Sequence, residues 1–188
     1  MMRGLILILG GLMLAGGAAA QDIDAGKQVA GMCRTCHGLD GYAKIPLAPH
    51  IGGNEAAYLE DQLRRFRSGE RVNEMMSVVA ASLSDQQIAD VAAWYAAHTA
   101  VATVPADAGP APEQCIACHG ADGIAVVEGV PNLAGATNIY LDTQLKAFRL
   151  GKRENEIMQG MVADLSDDEI RALADWFAAI KLEITGPS

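Results

Sequence analysis

The 188-residue chain is short of positive charge: 14 lysine and arginine residues stand against 23 aspartate and glutamate residues, a formal net charge of −9. A surface of that sign repels a phosphate backbone, which excludes nucleic acid as a natural partner. It suits a protein partner that presents a basic docking patch, and it serves plain solubility equally well. Long apolar runs are missing after the first 20 residues, so no later stretch is fit to span a bilayer. Alternating apolar and polar residues are missing too, which argues against sheet and leaves an all-α fold. There is no Ser-His-Asp arrangement, no dinucleotide-binding glycine loop and no second metal cluster.

What is present begins with a targeting pattern. Met1-Met2-Arg3 is a short basic start, Gly4 to Leu14 is an uncharged, mostly apolar run, and Ala18-Ala19-Ala20 supplies the small residues at which a signal peptidase cuts. Residues 1–20 therefore read as a secretory signal peptide, with a retained N-terminal anchor as the alternative. Cleavage implies a periplasmic protein with no stable membrane insertion.

The rest is one unit written twice. Adding 82 to a position in the first half finds its counterpart: Cys33 and Cys115, Pro49 and Pro131, Met76 and Met158, Leu83 and Leu165, Trp94 and Trp176. From Cys33 to Ala97 the register needs no insertion, and 29 of 65 aligned positions are identical. Such self-similarity marks a duplicated structural unit, here two tandem domains. Glu55 to Arg67 places Tyr58, Leu59, Gln62, Leu63 and Phe66 on one helical stripe, and Tyr140, Leu141, Gln144, Leu145 and Phe148 repeat it. The last helix of each copy opens with a capping box, Ser84 with Gln87 and Ser166 with Glu169. Trp94 and Trp176 read as core. The predicted organisation is domain 1 over 21–100, a linker over 101–112 and domain 2 over 113–188. The Ala- and Pro-rich stretch from Thr99 to Pro112 shows no periodicity, and its shortness implies that the domains pack together. Before Cys33 there is room for a helix over Asp24 to Met32; before Cys115, Pro110 and Pro112 leave little more than one turn. Domain 2 is thus expected to start with a truncated first helix, covered by its neighbour.

Four cysteines in an exported chain ordinarily suggest two disulfides. Here they form two C-x-x-C-H motifs, Cys33, Cys36 and His37, then Cys115, Cys118 and His119. Two thiols three positions apart on a helical turn can add to the two vinyl groups along one porphyrin edge, and the adjacent histidine then supplies the iron's proximal nitrogen. Zinc ribbons place their cysteine pairs roughly 15–20 residues apart, whereas 78 residues separate Cys36 from Cys115. A thioredoxin-like disulfide needs a βαβ context that the pattern lacks. The expected cofactors are two covalently bound haem c groups.

A methionine lies 39 residues after each haem histidine, at Met76 and Met158, and is the expected sixth iron ligand. Met75 and Met161 are the rivals, but their counterparts are Ile157 and Val79. Twelve residues after each histidine comes a proline loop, Pro49-His50-Ile51-Gly52-Gly53 and Pro131-Asn132-Leu133-Ala134-Gly135. A carbonyl there would accept a hydrogen bond from the other ring nitrogen of the histidine and orient it, with Ile51 and Leu133 packing on the ring; the alternative is that these are turn residues only. Arg67, Arg149, Arg71 and Arg153 read either as partners of haem propionates or as solvated cations at helix ends. His50 and His98 read as surface residues.

These motifs resemble class I c-type cytochromes, and their tandem arrangement is similar to the di-haem cytochrome c4 family. The resemblance covers nearly the whole chain beyond the signal and rests on both C-x-x-C-H-G motifs with Asp40-Gly41 and Asp122-Gly123, the proline loops, the Tyr-Leu-x-x-Gln-Leu helices and the spacing from each methionine to Leu-Ser-Asp. It implies a periplasmic electron carrier rather than an enzyme, moving one electron per haem between a respiratory or dehydrogenase donor and an acceptor such as a terminal oxidase. The alternative is the cytochrome subunit of a periplasmic dehydrogenase, such as a flavocytochrome sulfide dehydrogenase. The proline-rich start of domain 2 and His50 in the proline loop depart from the family pattern.

Overall fold

In a computed structural model the described residues are 20–187, so the predicted signal peptide lies, but for Ala20, outside them. Domain 1 contains α1 (Ile23–Ala30), α2 (Arg34–His37), α3 (Ala56–Ser68), α4 (Glu74–Ala81) and α5 (Asp85–Ala96). A strand, β1 (Thr99–Thr103), follows. Domain 2 contains α6 (Glu113–His119), α7 (Asn138–Arg149), α8 (Glu156–Val162) and α9 (Asp167–Ala178), and the chain closes on β2 (Lys181–Thr185). The architecture is all-α in class, with one two-stranded ribbon that the sequence pattern did not reveal.

Local chemistry sets the helix limits. Asp22 caps α1 by accepting from the N–H groups of Asp24 and Ala25. Both predicted capping boxes are formed, Ser84 with Gln87 on α5 and Ser166 with Glu169 on α9. Each cap is worth about 1 kcal/mol, because it satisfies N–H groups that the helix cannot. The core of domain 1 is Ala30, Leu59, Val91, Ala92, Trp94 and Tyr95, and that of domain 2 is Ala134, Ala136, Leu141, Ala174, Phe177 and Ile180. Helix α1 lies against α5 so closely that a Cβ on Gly26 would stand 2.0 Å from the Asp90 carbonyl oxygen.

Domain 2 has no counterpart of α1. Ala102 of β1, Val104 just beyond it and Leu182 of β2 pack against its core instead. The cover is therefore the connecting segment together with the C-terminal strand, where the neighbouring domain was expected. Strands β1 and β2 run antiparallel, with Val101 opposite Glu183. Those two residues are also 82 apart, so each strand is the repeat of the other and the pseudo-twofold axis of the molecule passes through that pair. The stretch read as an unstructured connection from Thr99 thus opens as a strand, too short and too exposed to give a strong alternation.

Candidate functional site

In each domain a single helical turn gathers the two thiols and the histidine. In α2 the N–H groups of Cys36 and His37 both donate to the Cys33 carbonyl, at 3.2 and 3.0 Å. Cys33, Cys36, Cys115 and Cys118 are all half-buried and unpaired, not disulfides. Burial pushes the Cys33 thiol up to about 11, against the lowering effect of a hydrogen bond with Tyr95, and burial raises Cys115 as well. Before a haem is attached, both are therefore neutral thiols.

His37 and His119 are buried, each 7% exposed. His37 donates Nδ1–H to the Pro49 carbonyl at 2.9 Å, and His119 donates Nδ1–H to the Pro131 carbonyl at 2.9 Å. This bond fixes the tautomer, leaving the Nε2 lone pair for a metal. Burial lowers both pKa values, with the proline carbonyls opposing, so the neutral imidazole that a metal requires is favoured. Unpaired thiols and an oriented neutral imidazole on one turn are the donor set of a covalently attached haem.

The proline loops are held from below. Ile51 N–H donates to the Gly41 carbonyl and Leu133 N–H to the Gly123 carbonyl, both at 2.8 Å. Gly41 has a φ of +80°, and a Cβ there would lie 2.2 Å from the Gly52 nitrogen, so only glycine lets the two loops meet. Ile51 and Leu133 pack against the cores of their own domains, as do the half-buried Cys33 and Cys115. Met76 and Met158 sit in the first turns of α4 and α8, their N–H groups capped by Asn73 and Asn155. Both are half-buried, whereas the rivals Met75 and Met161 are 64% and 38% exposed.

Several polar residues lie elsewhere than expected. Arg67 donates to the Leu83 carbonyl at 3.0 Å and pairs with Asp85; Arg149 donates to the Leu165 carbonyl at 2.5 Å and pairs with Asp167. Rather than standing as a solvated helix-end cation, each guanidinium fastens the start of α5 or α9. Arg71 stacks on Phe66 and donates to Gln62 of its own domain and Gln144 of the other. Arg153 stacks on Phe148 and donates to Gln144 and, across the boundary, to Gln62 and Tyr58. These arginines join domains. His98 is not a surface residue either: it is 5% exposed, hydrogen-bonded through Nδ1 to the Trp94 carbonyl and edge-on to the Trp94 ring. Trp94 is core as expected, its Nε1–H donating to the Leu39 carbonyl, whereas Trp176 is half-buried and its Nε1–H has no partner among the described residues.

His50 is half-buried at the domain boundary, again not the surface residue expected. It accepts from the Ala43 N–H at 2.9 Å and donates Nε2–H to the Gly135 carbonyl at 2.9 Å. Its counterpart Asn132 does the same in reverse, accepting from the Ala125 N–H at 2.9 Å and donating to the Gly53 carbonyl at 3.0 Å. The interface residues Gln62, Gln144, Tyr58 and Tyr140 had read only as a helical stripe. The signal that could have found them is a glutamine and a tyrosine kept in register on an otherwise apolar face.

Residues 21–94 match the family described as cytochrome C oxidase, cbb3-type, subunit III, and residues 111–181 match the cytochrome c family. Cytochrome c4 of Pseudomonas aeruginosa is 32% identical over 94% of this chain and 96% of its own length. A thiosulfate dehydrogenase electron acceptor of Stutzerimonas stutzeri is 35% identical over 82% of this chain and 81% of its own. Among solved structures, reduced cytochrome c4 from Pseudomonas stutzeri superposes with a TM-score of 0.75 at 28% identity, covering 86% of this chain and all of the other. A thiosulfate dehydrogenase from Marichromatium purpuratum gives 0.72 at 33% identity, over 85% of this chain and 40% of that one. With two cytochrome c domains and a donor set for one covalent haem c in each, the chain belongs to the di-haem cytochrome c4 family and is an electron-transfer protein, not an enzyme.

Proposed function

We propose that this chain is a periplasmic carrier which takes electrons from a dehydrogenase and delivers them to a respiratory acceptor. Residues 21–100 and 113–188 each hold one haem, joined by residues 101–112. Cys33 and Cys36, and Cys115 and Cys118, form the thioether bonds; His37 and Met76, and His119 and Met158, ligate the two irons. The observation that carries this is the paired geometry: a histidine locked to a proline carbonyl and a half-buried methionine, both repeated at 82 residues. When bound, each haem stores one electron by cycling between ferrous and ferric iron, and methionine opposite histidine raises the potential. The protein orients the imidazoles and keeps them neutral, and His37 with Met76 and His119 with Met158 would hold the two irons, leaving no ligand position for a substrate.

The dehydrogenase donor is favoured by the relatives named as electron acceptors of thiosulfate dehydrogenase, and by the dehydrogenase chain that includes a similar region. For docking, residues 113–188 carry twelve acidic and six basic side chains, against ten and seven in 21–100. Domain 2 is thus the better match for a basic partner surface. Export through residues 1–20 brings the chain to that compartment. The alternative, a fixed cytochrome subunit of a dehydrogenase such as a flavocytochrome sulfide dehydrogenase, requires a stoichiometric partner on purification.

Potentiometric titration with optical and magnetic spectra tests the ligands. Two low-spin haems with methionine-to-iron charge-transfer absorption are expected, and a high-spin or bis-histidine haem would overturn the assignment for that domain. Met76→His should lower the potential of the domain 1 haem alone. If Met75→His does so instead, the ligand is Met75.

A further inference from the structure

The hydrogen bonds around the two proline loops are not symmetric, and the difference lies at one buried side chain. In domain 2, the peptide linking Pro131 to Asn132 is engaged at both ends. Its carbonyl accepts from His119 Nδ1–H at 2.9 Å, and its N–H donates to Asn54 Oδ1 at 2.8 Å. Asn54 belongs to domain 1 and is 3% exposed. In domain 1, the equivalent peptide between Pro49 and His50 accepts from His37 in the same way. The position that would supply its acceptor, 82 residues after Asn54, is Ala136, which has no polar side-chain atom to offer. Among the described residues no side chain accepts from the His50 N–H.

The loops cannot drift apart to lose this bond easily. His50 and Asn132 each reach across the boundary to the opposite loop, to the carbonyls of Gly135 and Gly53. Glu55 adds a third tie by accepting from the Gly129 N–H at 2.6 Å.

We propose that Asn54 is a positioning residue of domain 1 that tunes the haem of domain 2 across the interface. A peptide whose N–H is hydrogen-bonded in a low-dielectric site is polarised, so its carbonyl oxygen becomes a stronger acceptor. The stronger acceptor pulls harder on the His119 Nδ1 proton and makes the ring a better electron donor to iron. A more basic axial imidazole favours the ferric state and lowers the potential. Domain 1 lacks this device, so Asn54 lowers the potential of the domain 2 haem alone. The inference rests on His119 ligating the domain 2 iron through Nε2, as proposed above.

The test is Asn54→Ala and Asn54→Asp in the holoprotein, each titrated potentiometrically, with the two haems told apart by combining each with Met76→His. Asn54→Ala copies the residue found at the repeat position. It should raise the domain 2 potential, leave domain 1 unchanged and shift the His119 Nδ1–H proton resonance upfield. Asn54→Asp keeps the acceptor in the same shape and should not raise the domain 2 potential. An unchanged domain 2 potential in Asn54→Ala, or equal shifts at both haems, would overturn the proposal, as would Asn54→Asp behaving like Asn54→Ala. Loss of the low-spin histidine–methionine spectrum in the unmutated protein would instead sink the ligand assignment on which it rests.

Discussion

Arg149 reaches 16 residues along the chain to donate to the Leu165 carbonyl, and Arg67 does the same to Leu83. A cation that satisfies the last carbonyl before a helix N-cap holds two elements together, because an unpaired carbonyl in a half-buried place costs free energy. Arg149→Ala should therefore destabilise domain 2 by about 1.5–3 kcal/mol, the usual size of a hydrogen bond to a charged group. Denaturant unfolding measures this, and the haem spectrum should not move. A shifted potential with no loss of stability would return Arg149 to a role beside the haem. The same scale shows what sequence reads well. Cysteine, histidine and proline at fixed offsets are legible because attachment and orientation fix the spacing of Cys33, Cys36, His37 and Pro49. An arginine is not, since a long flexible side chain finds its partner through the fold, at a distance that no spacing rule contains.

At the scale of elements, the helices were readable and the ribbon was not. Amphipathic stripes and two capping boxes announce α3, α5, α7 and α9, because each depends on neighbours within one or two turns. The strands β1 and β2 depend on each other, 82 residues apart, and only alternate residues are half-buried, so Thr99–Thr103 resembles any short connection. The α1–α5 crossing is legible in neither way. Nothing around Gly26 marks it, yet the Asp90 carbonyl occupies the space of a side chain. Gly26→Ala must push α1 off α5 or bend one of them. Alanine's better helix propensity, about 1 kcal/mol in its favour, works against an overpacking cost of roughly 1–3 kcal/mol, and because the clash is with backbone the overpacking should win. A lower thermal midpoint for domain 1 is expected; a higher one would mean that the crossing has room to open.

At the scale of the molecule, a duplicated sequence says that two units are alike without saying how they meet. The short connection did foretell close packing, and the ribbon through Val101 and Glu183, the Arg71 and Arg153 pair and the His50 and Asn132 clasp set its geometry. In that clasp one arm titrates and the other does not. Neutral His50 accepts at Nδ1 and donates at Nε2, so protonation would turn a donor against the Ala43 N–H. Burial lowers its pKa from 6.5, with Lys44 and His37 acting in the same direction and the Gly135 carbonyl and Asp40 opposing. Because the unfolded chain then binds more protons than the folded one, stability from His50 is full above 6.5 and is lost as pH falls towards the depressed folded value. Carboxylates such as Asp85 and Asp167, lowered from 3.8 by their arginine partners, contribute only in a more acid range. Denaturant unfolding of the holoprotein should show a falling midpoint between pH 7 and 5. His50→Asn, which copies Asn132 and keeps both bonds without a titrating ring, should flatten that slope. Equal slopes in the two proteins would show that the interface carries no proton-sensitive arm.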